Sequence, residues 1–219
     1  MKKFHIFVEG DADLKFLHDY IEVLINDDLK ALKDKKGKII KSDYLTTTGG
    51  WAKIDGKGGD TFREKMKENT SNNILNLVVF DADSPENEGG FAVRKREIED
   101  WKTRHGLTFE LFLFPNNEEN GELENLLEGI INPQNATIFC CWENFEECLT
   151  TKTTCTKTPL TIPAKKSKIY AYMEVLHGDS NSEKEKIKDP NRDFKNTQHW
   201  DLSAQAIGPL KKFLQRHIV

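Results

Sequence analysis

Residues 4–13 read FHIFVEGDAD, and residues 74–84 read ILNLVVFDADS. Each stretch begins as a short apolar run and ends in carboxylates, which is typical of a buried strand that carries charged side chains at its exit. In open α/β sheets, ligands bind outside the carboxyl ends of the strands, so the acids of both stretches are expected at one edge of a sheet. Carboxylates gathered there repel one another unless a cation lies between them, and oxygen ligands suit a hard ion such as Mg²⁺.

Apolar runs alternate with helical patterns through residue 131. Strands are predicted at residues 4–8, 39–47, 74–80 and 107–114. This alternation predicts an α/β fold, with a Rossmann-like, mostly parallel sheet of about four strands and helices on both faces. The first helix is expected to begin at Asp11 and to end at Lys35-Lys36-Gly37, because glycine commonly marks the end of a helix.

The strand signal fades after residue 132, where helical patterns dominate. We therefore divide the chain into an α/β core at residues 1–131 and a mainly helical C-terminal extension at residues 132–219, which is expected to pack on the core. Residues 178–198 have almost no large apolar side chains. Ordering this segment would therefore bury little apolar surface to offset the loss of chain entropy. A mobile polar loop is predicted there.

Composition and charge limit the function classes. The 219 residues carry a formal net charge of -4, which gives no overall basic footprint for nucleic acid, although a local basic face is compatible with that total. No apolar stretch approaches the roughly 20 residues that span a bilayer, and the first apolar run reaches Glu9 too early for a secretory signal. A cytoplasmic protein without a membrane partner is expected. The four cysteines lack the paired spacing of a zinc site and are expected to be buried or partly buried reduced thiols.

Two acidic motifs resemble those of Toprim domains: Glu9-Gly10 with Asp13 after the first strand, and Asp81-Ala82-Asp83 after a later one. Such domains occur in topoisomerases, bacterial primases, recombination-associated proteins and nucleases of the overcoming-lysogenization-defect group. The chain is also similar to bacterial Toprim-like proteins defined only as a domain of unknown function. That similarity rests on TGGW at 48–51, FPNN at 114–117, GELE at 121–124 and KKSKIYAY at 165–172.

The resemblance implies a Toprim-like fold and specific residue roles, with the clearest match over residues 1–131. Glu9 would act in acid–base chemistry or help to hold metal, and Asp81 and Asp83 would bind Mg²⁺ or Mn²⁺. Asp13 occupies a motif position. Glu122 or Glu124 would supply the further acid of the nuclease branch.

Other roles compete with these assignments. Acids near a helix start are favoured by the helix dipole, and Asp followed by Ser84-Pro85 suits a turn. Lys165, Lys166 and Lys168 can contact a phosphate backbone, but they also fit the solvated start of a helix.

Three functions are compatible with these patterns. The first is a metal-dependent phosphoryl-transfer enzyme on DNA or RNA, most plausibly a nuclease. The second is a non-catalytic Toprim-like module that binds nucleic acid, nucleotide or a separate partner protein; the small size and acidic balance favour it. The third is a phosphatase or receiver-like domain with an aspartyl phosphate. It ranks last because its Asp-x-Asp motif belongs on the first strand.

Overall fold

The computed structural model describes residues 3–29, 31–33, 35, 38–178 and 180–219. Its strands are β1 (Phe4–Val8), β2 (Ala31–Lys33), β3 (Ile39–Ser42), β4 (Leu45–Thr47), β5 (Leu75–Asp81) and β6 (Glu110–Phe114). Four of them form one sheet in the order β4-β1-β5-β6, and every neighbouring pair is parallel. The predicted parallel α/β architecture is confirmed.

Helices cover both faces of this sheet. They are α1 (Asp11–Ile25), α2 (Trp51–Asp55), α3 (Asp60–Ser71), α4 (Phe91–His105), α5 (Leu123–Glu128), α6 (Ala136–Thr150), α7 (Lys165–His177), α8 (Asn181–Lys186) and α9 (Gly208–Ile218). Side chains alternate along a strand. Accordingly, Ile6 of β1 packs in one cluster with Leu17 of α1, while its neighbour Phe7 packs in the other with Ile98 of α4.

The region between α1 and β4 differs from its prediction. The helix ends at Ile25, where Asn26 adopts a left-handed conformation with φ of 53°. Leu32 belongs to β2, which pairs antiparallel with β3 in a separate two-stranded sheet. The predicted strand at 39–47 is therefore two strands, β3 and β4, in different sheets. Of the predicted helix end, Lys36 and Gly37 lie outside the described residues.

The C-terminal helices pack on the sheet. Phe112 of β6 lies in the same apolar cluster as Leu210 and Leu214 of α9, and its ring centroid is 5.3 Å from that of Phe213. Of residues 178–198, which were predicted to be a polar loop, residues 180–198 are in part helical and in part buried. They contain α8 and a 3-10 turn, and Phe194 is 0 % exposed between Phe16 of α1 and Trp200. One buried aromatic anchors a segment whose composition is otherwise polar.

The four cysteines also differ from their prediction. Cys140, Cys141, Cys148 and Cys155 are free thiols, and all are exposed. Three of them lie on α6, which buries only Phe139. The helix packs through a narrow face, so residues that would be buried in a core helix remain at the surface.

Phe194→Ala is expected to lower the free energy of unfolding by about 3–5 kcal/mol, because it removes a fully buried aromatic side chain and leaves a cavity. Urea denaturation measures this change, and limited proteolysis should then cut residues 187–195. Phe145→Ala is the matched control, since Phe145 is 44 % exposed on α6 and its loss should cost less than about 1 kcal/mol. Equal stability of wild type and Phe194→Ala would contradict the packing of this segment on α1.

Candidate metal-binding cleft

The acidic cleft lies where the strand order reverses. The chain passes from β1 to β4 on one side and then returns across β1 to β5 and β6 on the other. The carboxyl ends of β1 and β5 are therefore at a switch point, where open α/β sheets bind ligands. Glu9 follows the last residue of β1, and Asp81 is the last residue of β5.

The cleft has a volume of about 580 Å³ and is strongly acidic. Its carboxylates come from four separate parts of the chain: Glu9, Asp11, Asp13, Asp81, Glu122, Glu124 and Asp189. Lys166 is the lysine in its lining. A larger cavity, of about 930 Å³, runs along the open edge of β4. We place the candidate site in the smaller cleft, because the carboxyls with strongly raised pKa values lie there.

Glu9 is held at the end of β1 by the loop after β4. Its backbone carbonyl accepts a hydrogen bond from the Gly49 N–H at 2.9 Å. Gly50 has a φ of 95°, a conformation that favours glycine, and it allows the turn that brings this loop beside Glu9. Glu9 Oε1 is buried and has no hydrogen-bond partner among the described residues. Burial, with the charges of Asp13 and Asp83, raises the pKa of Glu9 to about 7.

Asp13 and Asp81 approach the same space from α1 and β5. Asp13 Oδ2 accepts the Gly10 N–H at 2.8 Å, and Asp81 Oδ1 accepts the Leu123 N–H at 2.9 Å. Burial raises the pKa of Asp13 to about 7, with a further contribution from the charge of Glu124. Burial and the charges of Asp13, Glu9 and Glu124 raise the pKa of Asp81 well above its usual range. The charges of these carboxylates therefore interact with one another across one cleft.

The two downstream acids have different surroundings. Burial raises the pKa of Glu124, and the charge of Glu122 adds to that shift. Glu122 lines the cleft one residue before α5 begins, and its backbone N–H donates to Asn125 Oδ1 at 3.0 Å. Glu124 is thus the better placed of the two predicted alternatives to share a ligand with Asp13 and Asp81.

Asp83 is engaged in an ion pair. Its Oδ2 is 2.6 Å from Arg94 Nη2, and Arg94 also contacts Glu97 at 2.9 Å. Asp83 has a φ of 59°, and its backbone exchanges two hydrogen bonds of 2.9 Å with Gly121. Its charge still contributes to the raised pKa of Glu9. The role of Asp83 as a metal ligand stays a prediction. In the structure its carboxylate is paired with Arg94.

The three predicted phosphate-binding lysines point in different directions. Lys166 lines the cleft and forms an ion pair with Asp189. Lys165 Nζ donates to Asn125 Oδ1 at 3.0 Å. Lys168 Nζ lies 3.3 Å from Glu128 and 4.4 Å from the ring centroid of Phe139, which places it on the α5–α6 side. Only Lys166 of these three lies in the cleft lining.

Sequence reasoning missed Asp189 and Arg94. Asp189 lies in the polar segment expected to be a loop, and Arg94 is one of several cations on a charged helix. The Asp189-Pro190 pair marks a turn but gives no signal for a site. Asp189 lines the cleft and Arg94 pairs with Asp83 through tertiary packing, which no local pattern encodes.

The fold and the cleft define an α/β protein with an acidic ligand-binding cleft at the switch point of a parallel sheet. The chain belongs to the family described as Protein of unknown function (DUF3226), whose model matches residues 3–218. No curated protein and no solved structure matches the chain. Within the described residues, no helix is both long enough and apolar enough to cross a membrane.

Proposed function

We propose that this protein is a Toprim-like, metal-dependent enzyme that cleaves phosphodiester bonds in DNA or RNA. The observation that carries the proposal is the convergence of Glu9, Asp13 and Asp81 on one cleft at the switch point. Their raised pKa values reflect burial first and then the charges of neighbouring carboxylates. The Toprim-like motif order, Glu9 before Asp81 and Asp83, supports the same reading.

The residues of the cleft fit Mg²⁺ or Mn²⁺. Every candidate ligand is a carboxylate oxygen, which hard cations prefer, and Glu9 Oε1 is a buried acceptor without a partner in the described part of the chain. We assign the ion to Glu9, Asp13 and Asp81, with Glu124 at its margin, and Asp83, whose Oδ2 pairs with Arg94, stays a predicted further ligand. When bound, such an ion polarises a phosphoryl oxygen and lowers the pKa of a bound water.

The side chains of the cleft have three further roles: proton transfer, phosphate binding and positioning. Glu9, with a pKa of about 7, is suited to accept or hold a proton near neutral pH. Lys166 provides a cation for a substrate phosphate, which would replace Asp189 as its partner. The ion pair with Arg94 and the two backbone hydrogen bonds to Gly121 hold Asp83 in place. They thereby help to position Asp81 at the end of β5.

A second candidate is a non-catalytic Toprim-like module that binds nucleic acid, nucleotide or a separate partner protein. The Asp83–Arg94 ion pair favours it, because a carboxylate that is neutralised by arginine has less need of a metal. The net charge of -4 also weakens a broad contact with a phosphate backbone. The two candidates differ in whether cleavage occurs.

A nuclease assay separates them. Wild type, with Mg²⁺ or Mn²⁺, should cleave at least one of plasmid DNA, single-stranded DNA and RNA, and chelation should stop cleavage. Glu9→Gln should lose at least about 100-fold in rate, the usual range for removing a general acid or base. Glu64→Gln, an exposed acid on α3, is the control and should retain full activity. Binding without cleavage by wild type would support the second candidate.

A further inference from the structure

A second cluster of ligand-type side chains lies further along α1. His18, Asp19 and Glu22 are 0 %, 0 % and 5 % exposed, and one ligand atom from each lies within 4.8 Å of the others. In the described part of the chain, it is the group of three histidine, cysteine or acidic side chains whose ligand atoms lie close enough together to hold one metal ion. It begins five residues after Asp13, which is about 8 Å along a helix, so it is separate from the cleft.

The imidazole of His18 has an unusual environment. Both ring nitrogens and Asp19 Oδ1 are buried without a hydrogen-bond partner among the described residues. His18 Nδ1 is 3.5 Å from Asp19 Oδ1, and Nε2 is 3.4 Å from Glu22 Oε1. Each ring nitrogen therefore faces a carboxylate oxygen without forming a hydrogen bond in the described part of the chain. A cation held by the imidazole and the two carboxylates would satisfy these buried groups.

Surrounding groups hold the carboxylates in place. Asp19 Oδ2 contacts Lys15 Nζ at 2.5 Å and accepts the Phe194 N–H at 3.0 Å. Glu22 Oε2 contacts Lys195 Nζ at 2.9 Å. Each carboxylate thus binds a lysine through one oxygen and faces His18 with the other, although Glu22 Oε1 also accepts the Leu29 N–H at 3.1 Å and lies 4.0 Å from Lys33 Nζ. Outer contacts of this kind orient metal ligands in many sites.

An open cavity reaches Glu22, one member of the cluster. It has a volume of about 370 Å³ and is lined by Glu22, Val23, Asn26, Asp27, Asp28 and Lys195. Together with Asp19, these residues place four carboxylates around the site, against the three lysines Lys15, Lys33 and Lys195. The cavity therefore offers a cation a negatively charged route to Glu22.

We propose that His18, Asp19 and Glu22 bind a divalent transition ion of the Zn²⁺ type, through one imidazole nitrogen and one oxygen of each carboxylate. One ligand atom from each of the three side chains lies within 4.8 Å of the others, and ligand atoms around tetrahedral zinc are about 3.4 Å apart, so the side chains have to move slightly closer together around the ion. Imidazole favours Zn²⁺ over Mg²⁺, so this site differs in metal preference from the all-carboxylate cleft. The same two carboxylates connect α1 to the segment that carries Asp189, through the Phe194 N–H and Lys195 Nζ.

Cobalt provides a spectroscopic probe of this site. Chelator-treated protein in excess Mg²⁺ should bind one equivalent of Co²⁺ with the visible absorption of a four-coordinate ion, and Zn²⁺ should displace it. Asp81→Asn should bind Co²⁺ as wild type does, which separates this site from the cleft. His18→Gln and Glu22→Gln should bind Co²⁺ at least about 100-fold more weakly, since loss of an outer-shell partner alone costs 10–100-fold.

Two results would overturn the site. One is the absence of Co²⁺ and Zn²⁺ binding by folded wild type, as expected if His18 is an imidazolium paired with both carboxylates. The other is equal binding by wild type and both variants, with circular dichroism showing that the variants are folded. Should the variants fail to fold, the ring ¹⁵N shifts of His18 in wild type decide: a change on adding Zn²⁺ supports the site, and unchanged shifts overturn it.

Discussion

Asp81→Asn should abolish divalent-cation binding in the cleft and lower metal-dependent cleavage by at least about 100-fold. Asp81 is the last residue of β5 and is surrounded by the charges of Asp13, Glu9 and Glu124. The substitution keeps the shape and removes the negative charge of one ligand. Electrostatic stabilisation by a metal contributes several kcal/mol to phosphoryl transfer, and each 1.36 kcal/mol corresponds to a tenfold change in rate.

Calorimetric titration with Mn²⁺ and the cleavage assay measure this effect together. Asp100→Asn is the control, because Asp100 is an exposed aspartate on α4 away from the cleft lining. The control should bind Mn²⁺ and cleave as wild type does. Equal Mn²⁺ affinity in the cleft of wild type and Asp81→Asn would contradict the assignment of Asp81 as a ligand.

Glu9→Gln should stabilise the metal-free protein at alkaline pH while leaving its stability at low pH unchanged. The pKa of Glu9 rises from 4.5 to about 7 on folding, so the folded state binds more protons than the unfolded state across this window. Stability of the wild type therefore falls as pH increases through the window. The shift corresponds to about 3 kcal/mol at most, which is up to roughly 10 °C in Tm for a chain of this size.

Thermal unfolding with a chelator at a series of pH values from 4 to 8 tests this expectation. The difference between Glu9→Gln and wild type should be absent below pH 4.5 and complete above about 7. Glu64→Gln should follow wild type throughout. Saturating Mg²⁺ should remove the pH-dependent loss in wild type, because the cation offsets the repulsion. A wild-type Tm that rises from pH 5 to 8 without metal would contradict the buried cluster.

The sequence predicted the parallel sheet well where apolar runs were unbroken. Residues 4–8 form β1 as expected, and the apolar run ending at Phe80 forms β5 with Asp81 as its last residue. The prediction was wrong between Asn26 and Thr47, where short, polar strands carry weak periodicity. Ser42 side-chain contacts to the backbone N–H groups of Tyr44 and Leu45 mark the break between β3 and β4. A side chain that bonds the backbone competes with strand pairing there.

The site was less predictable than the fold. Glu9 and Asp81 meet because strand ends meet at one edge of a sheet, a rule that applies before any coordinates exist. The burial of Asp13 and the pairing of Asp83 with Arg94 depend on tertiary contacts 11 residues or more apart in the chain. Asp189 reaches the cleft because Phe194 anchors its segment on α1. A single aromatic residue in a polar stretch gives no sequence signal that it will be buried.

Crystals soaked in Mn²⁺ provide the most direct test of the central proposal, because anomalous scattering locates the ion. We expect a peak in the cleft between the carboxylates of Glu9 and Asp81, within coordination distance of their oxygens, with Asp13 or Glu124 nearby. The peak should be absent in Asp81→Asn. A cleft without a peak in wild type at millimolar Mn²⁺, with Glu9 and Asp81 paired to lysine or arginine, would contradict the metal-dependent function.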